Sequence, residues 1–209
     1  MATHAARLPL RRLDALARPA QLLLALQAVL AASAAAIALN YGAGYDDEDG
    51  SGVYAAVALL QALVYVGTAI VVLCWIYRAN DNVHRLGAEQ LGPSPGWAVG
   101  WYFIPLGNLV MPFQAMRETW KASIDPRDWE VVRVSPILGF WWFFWLASNI
   151  AGAVALRLEF EEEFEGAGRI AEQFGTASDV LIAPASLLLM AIIGRVTSEQ
   201  ERRRLGAIE

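Results

Sequence analysis

The sequence predicts an all-α integral membrane protein with four transmembrane helices and a proline-broken helical element, re-entrant or interfacial, on the cytoplasmic side. Composition is the first reason: 56% of the 209 residues are hydrophobic and 18% are charged, whereas soluble domains average about 45–50% and roughly 25%. The second is four apolar runs near the length of about 20 residues that crosses a bilayer. The third is an uneven distribution of basic residues. No long linker or internal repeat divides the sequence, so residues 1–209 are predicted to form a single membrane domain.

The first predicted span covers residues 19–41 and follows a short basic segment. A secretory signal peptide is the alternative, because it also combines a basic start with an apolar run. The run here is longer than the usual apolar core of about 7–15 residues, and the acidic stretch after it lacks an Ala-x-Ala-like cleavage site. These two features favour a membrane helix. The small residues at 31–36 permit close helix approach, within the bundle or toward a partner, and we expect packing within the bundle.

The second predicted span covers residues 53–77 and follows an acidic outer loop, residues 42–52. Four adjacent carboxylates, at residues 46–49, suggest calcium binding as one interpretation of this loop. Calcium-binding loops, however, place their ligands at alternating positions around a fixed glycine. The stretch DDEDGSG lacks that spacing, so a solvated loop is the favoured interpretation.

The last two predicted spans cover residues 137–156 and 179–196, joined by a second acidic outer loop, residues 157–178. The cluster WWFFW at the start of the third span is typical of an interfacial aromatic belt, with a binding box as the alternative. Asn149 and Gln61 are expected to form hydrogen bonds between helices rather than to contact a ligand. Apart from the boundary residue Asp179, the spans contain no ionisable Asp, Glu, Lys, Arg or His, which argues against a proton-coupled transporter.

The basic residues predict the orientation of the chain. With four spans, residues 1–18, 78–136 and 195–209 lie on one side of the membrane, and they carry four, six and four basic residues, 14 of the chain's 16. The other side keeps Arg157 and Arg169 against 11 acidic residues. Because Lys and Arg collect on the cytoplasmic flanks of membrane helices, both termini are predicted to be cytoplasmic.

The segment of residues 97–116 is apolar enough to enter a membrane but contains Pro105 and Pro112. A complete crossing would scatter the later basic residues over both faces. In a helix interior each proline removes a donor and clashes with the carbonyl four residues earlier, and irregular backbone at membrane depth needs cover from protein or water. We therefore predict a re-entrant or interfacial helix–break–helix element, in which the amide of Asn108 satisfies backbone groups that the prolines free.

Four motifs carry a family resemblance: YRANDN, GWAVGWYFIPLGNLVMPFQAMRETWKAS, FWWFFWLAS and GRVTSEQ, in that order between about residues 60 and 204. Together they resemble the domain of unknown function 4328 (DUF4328), an integral membrane family of bacteria. The resemblance implies a membrane protein and carries no activity. Family members often have a longer, proline-rich amino-terminal tail, whereas this chain has a short basic one. The positions that match the pattern are Arg78, Asn82, Trp97, Trp101, Pro105, Asn108, Pro112, Trp120, Trp142, Trp145, Thr197 and Gln200.

The sequence gives no positive sign of catalysis. It contains no Ser/His/Asp set, no cluster with metal-ligand spacing and no glycine-rich phosphate loop, so we expect neither an enzyme nor a bound cofactor or metal. The leading prediction is an accessory, assembly or scaffold subunit of the bacterial cell (inner or plasma) membrane, which binds a protein partner or forms a homo-oligomer and does not bind nucleic acid. The alternative is a small permeation or small-ligand transport protein that uses the Pro105–Asn108–Pro112 break as its gate or site.

Candidate contacts to a partner or ligand cluster around the broken segment. Arg117 is expected to pair with Glu118 or another carboxylate, with a lipid phosphate as the alternative partner. The full set of candidate contacts is Arg78, Asn82, Trp97, Trp101, Pro105, Asn108, Pro112, Gln114, Arg117, Glu118 and Trp120.

Overall fold

The computed structural model describes residues 9–41, 50–161 and 166–206, which form helices and short connections without any strand. The acidic residues 46–49, for which a solvated loop was predicted, lie outside these ranges. The α-helices in the described part are α1 (Asp14–Tyr41), α2 (Gly50–Arg85), α3 (Pro95–Gly100), α4 (Met111–Ile124), α5 (Pro136–Glu159) and α6 (Ala167–Gly206).

Four of these helices, α1, α2, α5 and α6, are long and apolar enough to cross a membrane. They coincide with the four predicted spans and confirm their number. Most of their apolar surface is not covered by the protein itself: in the most apolar 18-residue window, the buried share ranges from 11% in α2 to 44% in α6. Long apolar helices with mostly uncovered surfaces are the pattern of a multi-pass membrane protein.

Helix α2 continues eight residues beyond the predicted span, because its polar end has a complete C-terminal cap. Gly87 adopts a positive φ of 85°, which glycine reaches without a steric penalty. Its N–H donates to the carbonyl of His84 at 3.0 Å, and the N–H of Ala88 donates to the carbonyl of Val83 at 3.2 Å. These paired bonds form a Schellman motif. Val83 and Ala88 are both buried in one apolar cluster, so the cap also anchors the helix end.

Helix α6 begins twelve residues before the predicted boundary at residue 179. Ala167 and Ala171, one turn apart, are 4% and 3% exposed, and this packed face extends the helix into the sequence predicted as an outer loop. The prediction of a loop over residues 157–178 is therefore wrong for most of its length. Residues 162–165 of that stretch lie outside the described part of the chain.

The chain divides into two compact units, and the long helices contribute to both. Unit 1 comprises Met1–Gln21, Ala69–Leu138 and Ala191–Glu209; unit 2 comprises Leu22–Thr68 and Gly139–Met190. In unit 2, Ala31 packs with Ile182 and Ala185 in a buried cluster, and Ala35 is also buried. Packing within the bundle is confirmed for these two small residues of the first span, whereas Ala32, Ser33 and Ala36 are exposed. Trp141 and Trp142 are also buried.

Unit 1 contains the proline-broken segment, and the structure confirms its helix–break–helix form. The break is two 3₁₀ turns on either side of an irregular stretch, residues 104–106. In chain order, the parts are α3, Trp101–Phe103, Gly107–Leu109 and α4. Their edge is strongly apolar and exposed: Phe103 is 73% exposed and Leu106 is 83% exposed.

The break depends on one close approach. The indole of Trp101 lies over Gly107, where an added Cβ would come within 2.5 Å of the ring atom Cε3. On its other side, the ring of Trp101 packs against Trp97, with centroids 4.9 Å apart. Gly107 therefore lets the chain fold back against this pair of tryptophans.

We expect Gly107→Ala to lower the melting temperature in detergent, because the new methyl group displaces the Trp101 ring and overpacking costs about 1–3 kcal/mol. The matched control is Gly96→Ala in α3, where an added Cβ meets no atom within 4 Å and alanine favours the helix. Equal melting temperatures for the two variants would contradict the assigned role of Gly107.

Candidate functional site

The centre of unit 1 is a buried network of side-chain amides and hydroxyls around Gln200 on α6. Gln200 is 1% exposed. Its Nε2 donates to the backbone carbonyl of Ala79 at 3.0 Å and to Oγ of Ser123 at 2.8 Å, and its Oε1 accepts from Nδ2 of Asn82 at 2.9 Å. One amide thus joins the ends of α2, α4 and α6.

Asn82 on α2 extends the network to the amino-terminal segment. Its Oδ1 accepts the backbone N–H of Arg11 at 2.8 Å, and its Nδ2 donates to the carbonyl of Arg11 at 2.8 Å. Asn82 therefore binds both backbone polar groups of Arg11, a residue that precedes α1. Two residues later, the free N–H of Leu13 donates to Oε1 of Glu201 at 2.7 Å. The chain is held at the start of α1 by side chains from α2 and α6.

Helix α4 joins the network through its polar face. Oγ of Ser123 donates to the carbonyl of Thr119 at 2.6 Å, and Oγ1 of Thr119 accepts from Nδ2 of Asn80 at 3.1 Å. Arg203 donates its Nε to the carbonyl of Ser123 at 3.2 Å and a second nitrogen to the carbonyl of Ile124. Since the last carbonyls of a helix have no partner within it, Arg203 caps α4.

Charged pairs surround the network at the protein surface. The carboxylate of Asp81 accepts from Nε of Arg11 at 2.8 Å and from Nε of Arg85 at 2.7 Å. Beyond α4, Asp125 accepts the backbone N–H groups of Asp128 and Arg127, and these bonds lower the pKa of its carboxyl group. Because this pKa is lowered, the Asp125 carboxylate stabilises the turn at pH values above its usual pKa. This stabilisation is lost as the pH falls through the lowered pKa.

The network has little capacity left for a ligand. Its amides are almost fully buried, and most of their donors and acceptors are already used within the protein. Asn80 is the exception, since its Oδ1 is buried and has no partner in the described ranges. Among the residues that the structure describes, no group of three or more His, Cys, Asp or Glu side chains is placed to hold a metal ion. The arrangement is a framework, and Asn82, predicted as a contact residue, belongs to it.

Two expectations for the broken segment are wrong. Among the described residues Oδ1 of Asn108 is buried and has no hydrogen-bond partner, whereas the side-chain amide was expected to bond to backbone groups. The carbonyl of Trp101, which Pro105 cannot reach with an N–H, accepts the backbone N–H of Ile104 at 3.4 Å instead. Pro112 does not break a helix; it lies in the first turn of α4, where a missing N–H leaves no bond unmade.

The remaining candidate contacts separate into buried and accessible side chains. Trp120 and Pro112 are buried. Trp97 and Pro105 are exposed, whereas Trp101, Asn108 and Gln114 are half-buried.

Arg117 and Glu118 do not form the predicted pair. Glu118 accepts the backbone N–H of Gly92 at 2.9 Å. Arg117 and Arg78 are half-buried and form no hydrogen bond or ion pair with any described residue. These two guanidinium groups are the candidate contacts with unused charge.

Unit 2 has a cavity of about 710 Å³ that the sequence did not indicate. Its polar lining includes Gln27, Gln61 and Asn149. Asn149 accepts a hydrogen bond from the hydroxyl of Tyr65 at 3.3 Å, which confirms its predicted role between helices. Gln61 makes no such bond to any residue that the structure describes. Neither Pro105 nor Pro112 lines this cavity, and neither does Asn108.

Sequence reasoning missed most of the network because its members are far apart in the chain. Ser123, Thr119, Glu201 and Arg203 carry no local signature. The clearest signal was a polar residue directly after an apolar span, as at Thr197, whose Oγ1 accepts a hydrogen bond from Nε1 of Trp75 at 3.0 Å, with both side chains buried.

We expect Gln200→Leu to destabilise unit 1, because the carbonyl of Ala79, Oγ of Ser123 and Nδ2 of Asn82 each lose one buried hydrogen bond, and an unsatisfied buried polar group costs about 1–3 kcal/mol. The matched control is Gln173→Leu in the same helix, whose side chain is exposed. The measurement is thermal unfolding in detergent. A Gln200→Leu protein as stable as the control would show that the network contributes no stability.

Comparison with known proteins gives a family and no activity. No curated protein and no solved structure matches the chain. The family model described as Domain of unknown function (DUF4328) matches residues 47–198, well over half of the chain. That range includes the proline-broken segment, the Asn82 position and Thr197, and it ends just before Gln200. The chain belongs to the DUF4328 family.

Proposed function

We propose that this protein is a non-enzymatic accessory, assembly or scaffold subunit of a bacterial cell membrane, with unit 1 as its cytoplasmic binding platform. The observation that carries the proposal is the buried amide network. It fixes four chain segments together and uses its polar groups internally, which suits a surface held in one shape for a partner.

The charges of the two units support the cytoplasmic placement of unit 1. Unit 1 contains 14 of the chain's 16 basic residues and 10 acidic ones, a net charge of 14 − 10 = +4. Unit 2 contains two basic and 11 acidic residues, a net charge of 2 − 11 = −9. Under the positive-inside rule, unit 1 and both termini face the cytoplasm.

The proposal places the broken segment in the membrane interface rather than deep in the bilayer. Helix α3 has six residues, which span about 9 Å at the usual rise, whereas the hydrocarbon core is about 30 Å thick. The exposed apolar edge therefore suits the headgroup boundary. The free guanidinium groups of Arg78 and Arg117 suit lipid phosphates. The exposed members of this edge are Trp97, Phe103, Leu106, Leu109 and Val110.

The connection between α4 and α5 offers a surface for a protein partner. Val131 is 81% exposed on a 3₁₀ turn that Trp129 anchors, since Nε1 of Trp129 donates to the carbonyl of Glu89 at 2.9 Å. Nζ of Lys121 lies 5.4 Å from the centre of the Trp129 ring, and Arg127 and Arg133 flank the turn. An apolar centre with a charged rim is the usual composition of a protein interface.

The proposal is tested by placing the photo-crosslinking residue benzoylphenylalanine at Val131 or at Leu106 in cells. We expect Val131 to give a discrete protein adduct of defined mass, because it lies on the proposed platform. Leu106 should give lipid adducts, because it lies on the proposed interfacial edge. The control position is Gly168, exposed on α6 in unit 2, which should not give the Val131 adduct.

The competing hypothesis of a permeation protein makes the opposite prediction. The absence of a protein adduct at Val131, together with solute leakage from liposomes that contain only the purified protein, would overturn the scaffold proposal. A protein adduct at Leu106 in place of lipid would overturn the interfacial placement of the broken segment. The platform would then be tested by the Val131 result alone.

A further inference from the structure

The cavity of unit 2 has the properties of a small-molecule site. Its volume of about 710 Å³ falls within the range of roughly 300–1,000 Å³ that is usual for ligand pockets. All four long helices contribute to its wall. Most of its lining is apolar, including Leu30, Ala31, Leu156 and Ile182.

The polar groups of this wall are unequally used. Ser148 and Ser178 bond to each other, with Oγ atoms 3.2 Å apart, and Asn149 bonds within the protein. In contrast, the side-chain amides of Gln27 and Gln61 form no hydrogen bond with any residue in the described ranges. Gln27 is 9% exposed, so the protein covers most of this side chain, and it forms part of the cavity wall.

The charge of the wall is negative only. Asp179 and Glu159 line the cavity, and among the described residues no Lys, Arg or His does. Asp179 has no ion-pair or hydrogen-bond partner in the part of the chain that the structure describes. An ionisable side chain within a membrane helix is unfavourable unless it serves a partner. A cation that can also form hydrogen bonds with amides would complement both the carboxylates and the amides of this wall.

We propose that this cavity binds a lipophilic ammonium group, that is, a protonated amine on an apolar chain. The ammonium pairs with Asp179 and donates hydrogen bonds to the amide oxygens of Gln27 and Gln61, while the apolar chain lies against the aliphatic wall. A bare metal cation fits less well, because Ca²⁺ requires six to eight oxygen ligands and this wall is mainly hydrocarbon. The proposal stands independently of the scaffold function.

Two sources share this chemistry: a free lipophilic amine and the headgroup of phosphatidylethanolamine. The probe is tritiated dodecylamine, bound to the purified full-length protein in dodecyl maltoside micelles and measured by scintillation proximity. We expect unlabelled dodecylamine to displace the probe and dodecanol, which lacks the charge, to displace it at least about tenfold more weakly. Displacement by dihexanoyl-phosphatidylethanolamine but not by dihexanoyl-phosphatidylglycerol would identify the lipid headgroup; displacement by dodecylamine alone would identify a free amine.

Two pairs of variants test the charge and the space separately. Asp179→Asn should weaken dodecylamine binding by about tenfold or more, whereas Glu161→Gln, outside the cavity wall, should not change it. Gly175 lines the cavity and an added Cβ there meets no atom within 4 Å, so Gly175→Leu should fill the site without disturbing the fold. Gly168→Leu is its control, in the same helix and equally unobstructed.

The proposal is overturned if dodecanol competes as strongly as dodecylamine, since the site would then be merely apolar. It is also overturned if Asp179→Asn binds like the wild type, or if Glu161→Gln weakens binding as much as Asp179→Asn. If Asp179→Asn does not fold, the Gly175→Leu variant decides the matter by itself. Dodecylamine binding equal to that of the wild type would then overturn the proposal.

Discussion

The fold of unit 1 depends on the side-chain amide of Gln200. A single group joins α2, α4 and α6 through three hydrogen bonds, and Asn82 passes the connection to the backbone of Arg11. Helices packed in a membrane gain little from the hydrophobic effect, because lipid tails are as apolar as their own side chains. Specific polar contacts and close packing therefore have to define the arrangement, and here they are concentrated at the polar ends of the apolar helices.

The buried network distinguishes the residues that hold the fold together from those that are available for binding. Asn82 lies within the range that the family model matches and Gln200 just beyond it, and the burial and bonding of both identify them as framework residues. The groups left over are at other places: the exposed apolar edge near Leu106, and Arg117 and, in the cavity of unit 2, Asp179, neither of which is paired with any described residue. The scaffold proposal rests on the rigidity of this framework, whereas the proposed contacts to lipid and to an ammonium group use side chains that the framework does not use.

The sequence predicted the parts of the fold that depend on composition and local pattern. The number of spans and the helix–break–helix form near Pro105 follow from apolar length and proline chemistry, and both are confirmed. The early start of α6 was missed because the packing of Ala167 and Ala171 is tertiary. The roles of Asn108 and Pro112 were wrong for a related reason: whether a proline breaks or begins a helix depends on where the helix starts, which the apolar pattern does not define. The cavity could not be predicted, because four helices that are distant in the sequence form its wall.

A double-mutant cycle between Asn82 and Gln200 tests the central claim most directly. Asn82→Leu, Gln200→Leu and the combination are compared with the wild type by unfolding in detergent. If the two amides act as one unit, their combined effect should be smaller than the sum of the single effects by about 0.5–3 kcal/mol, because the second substitution removes a partner already left unpaired. Strict additivity would contradict a shared network and leave two independent polar contacts in its place.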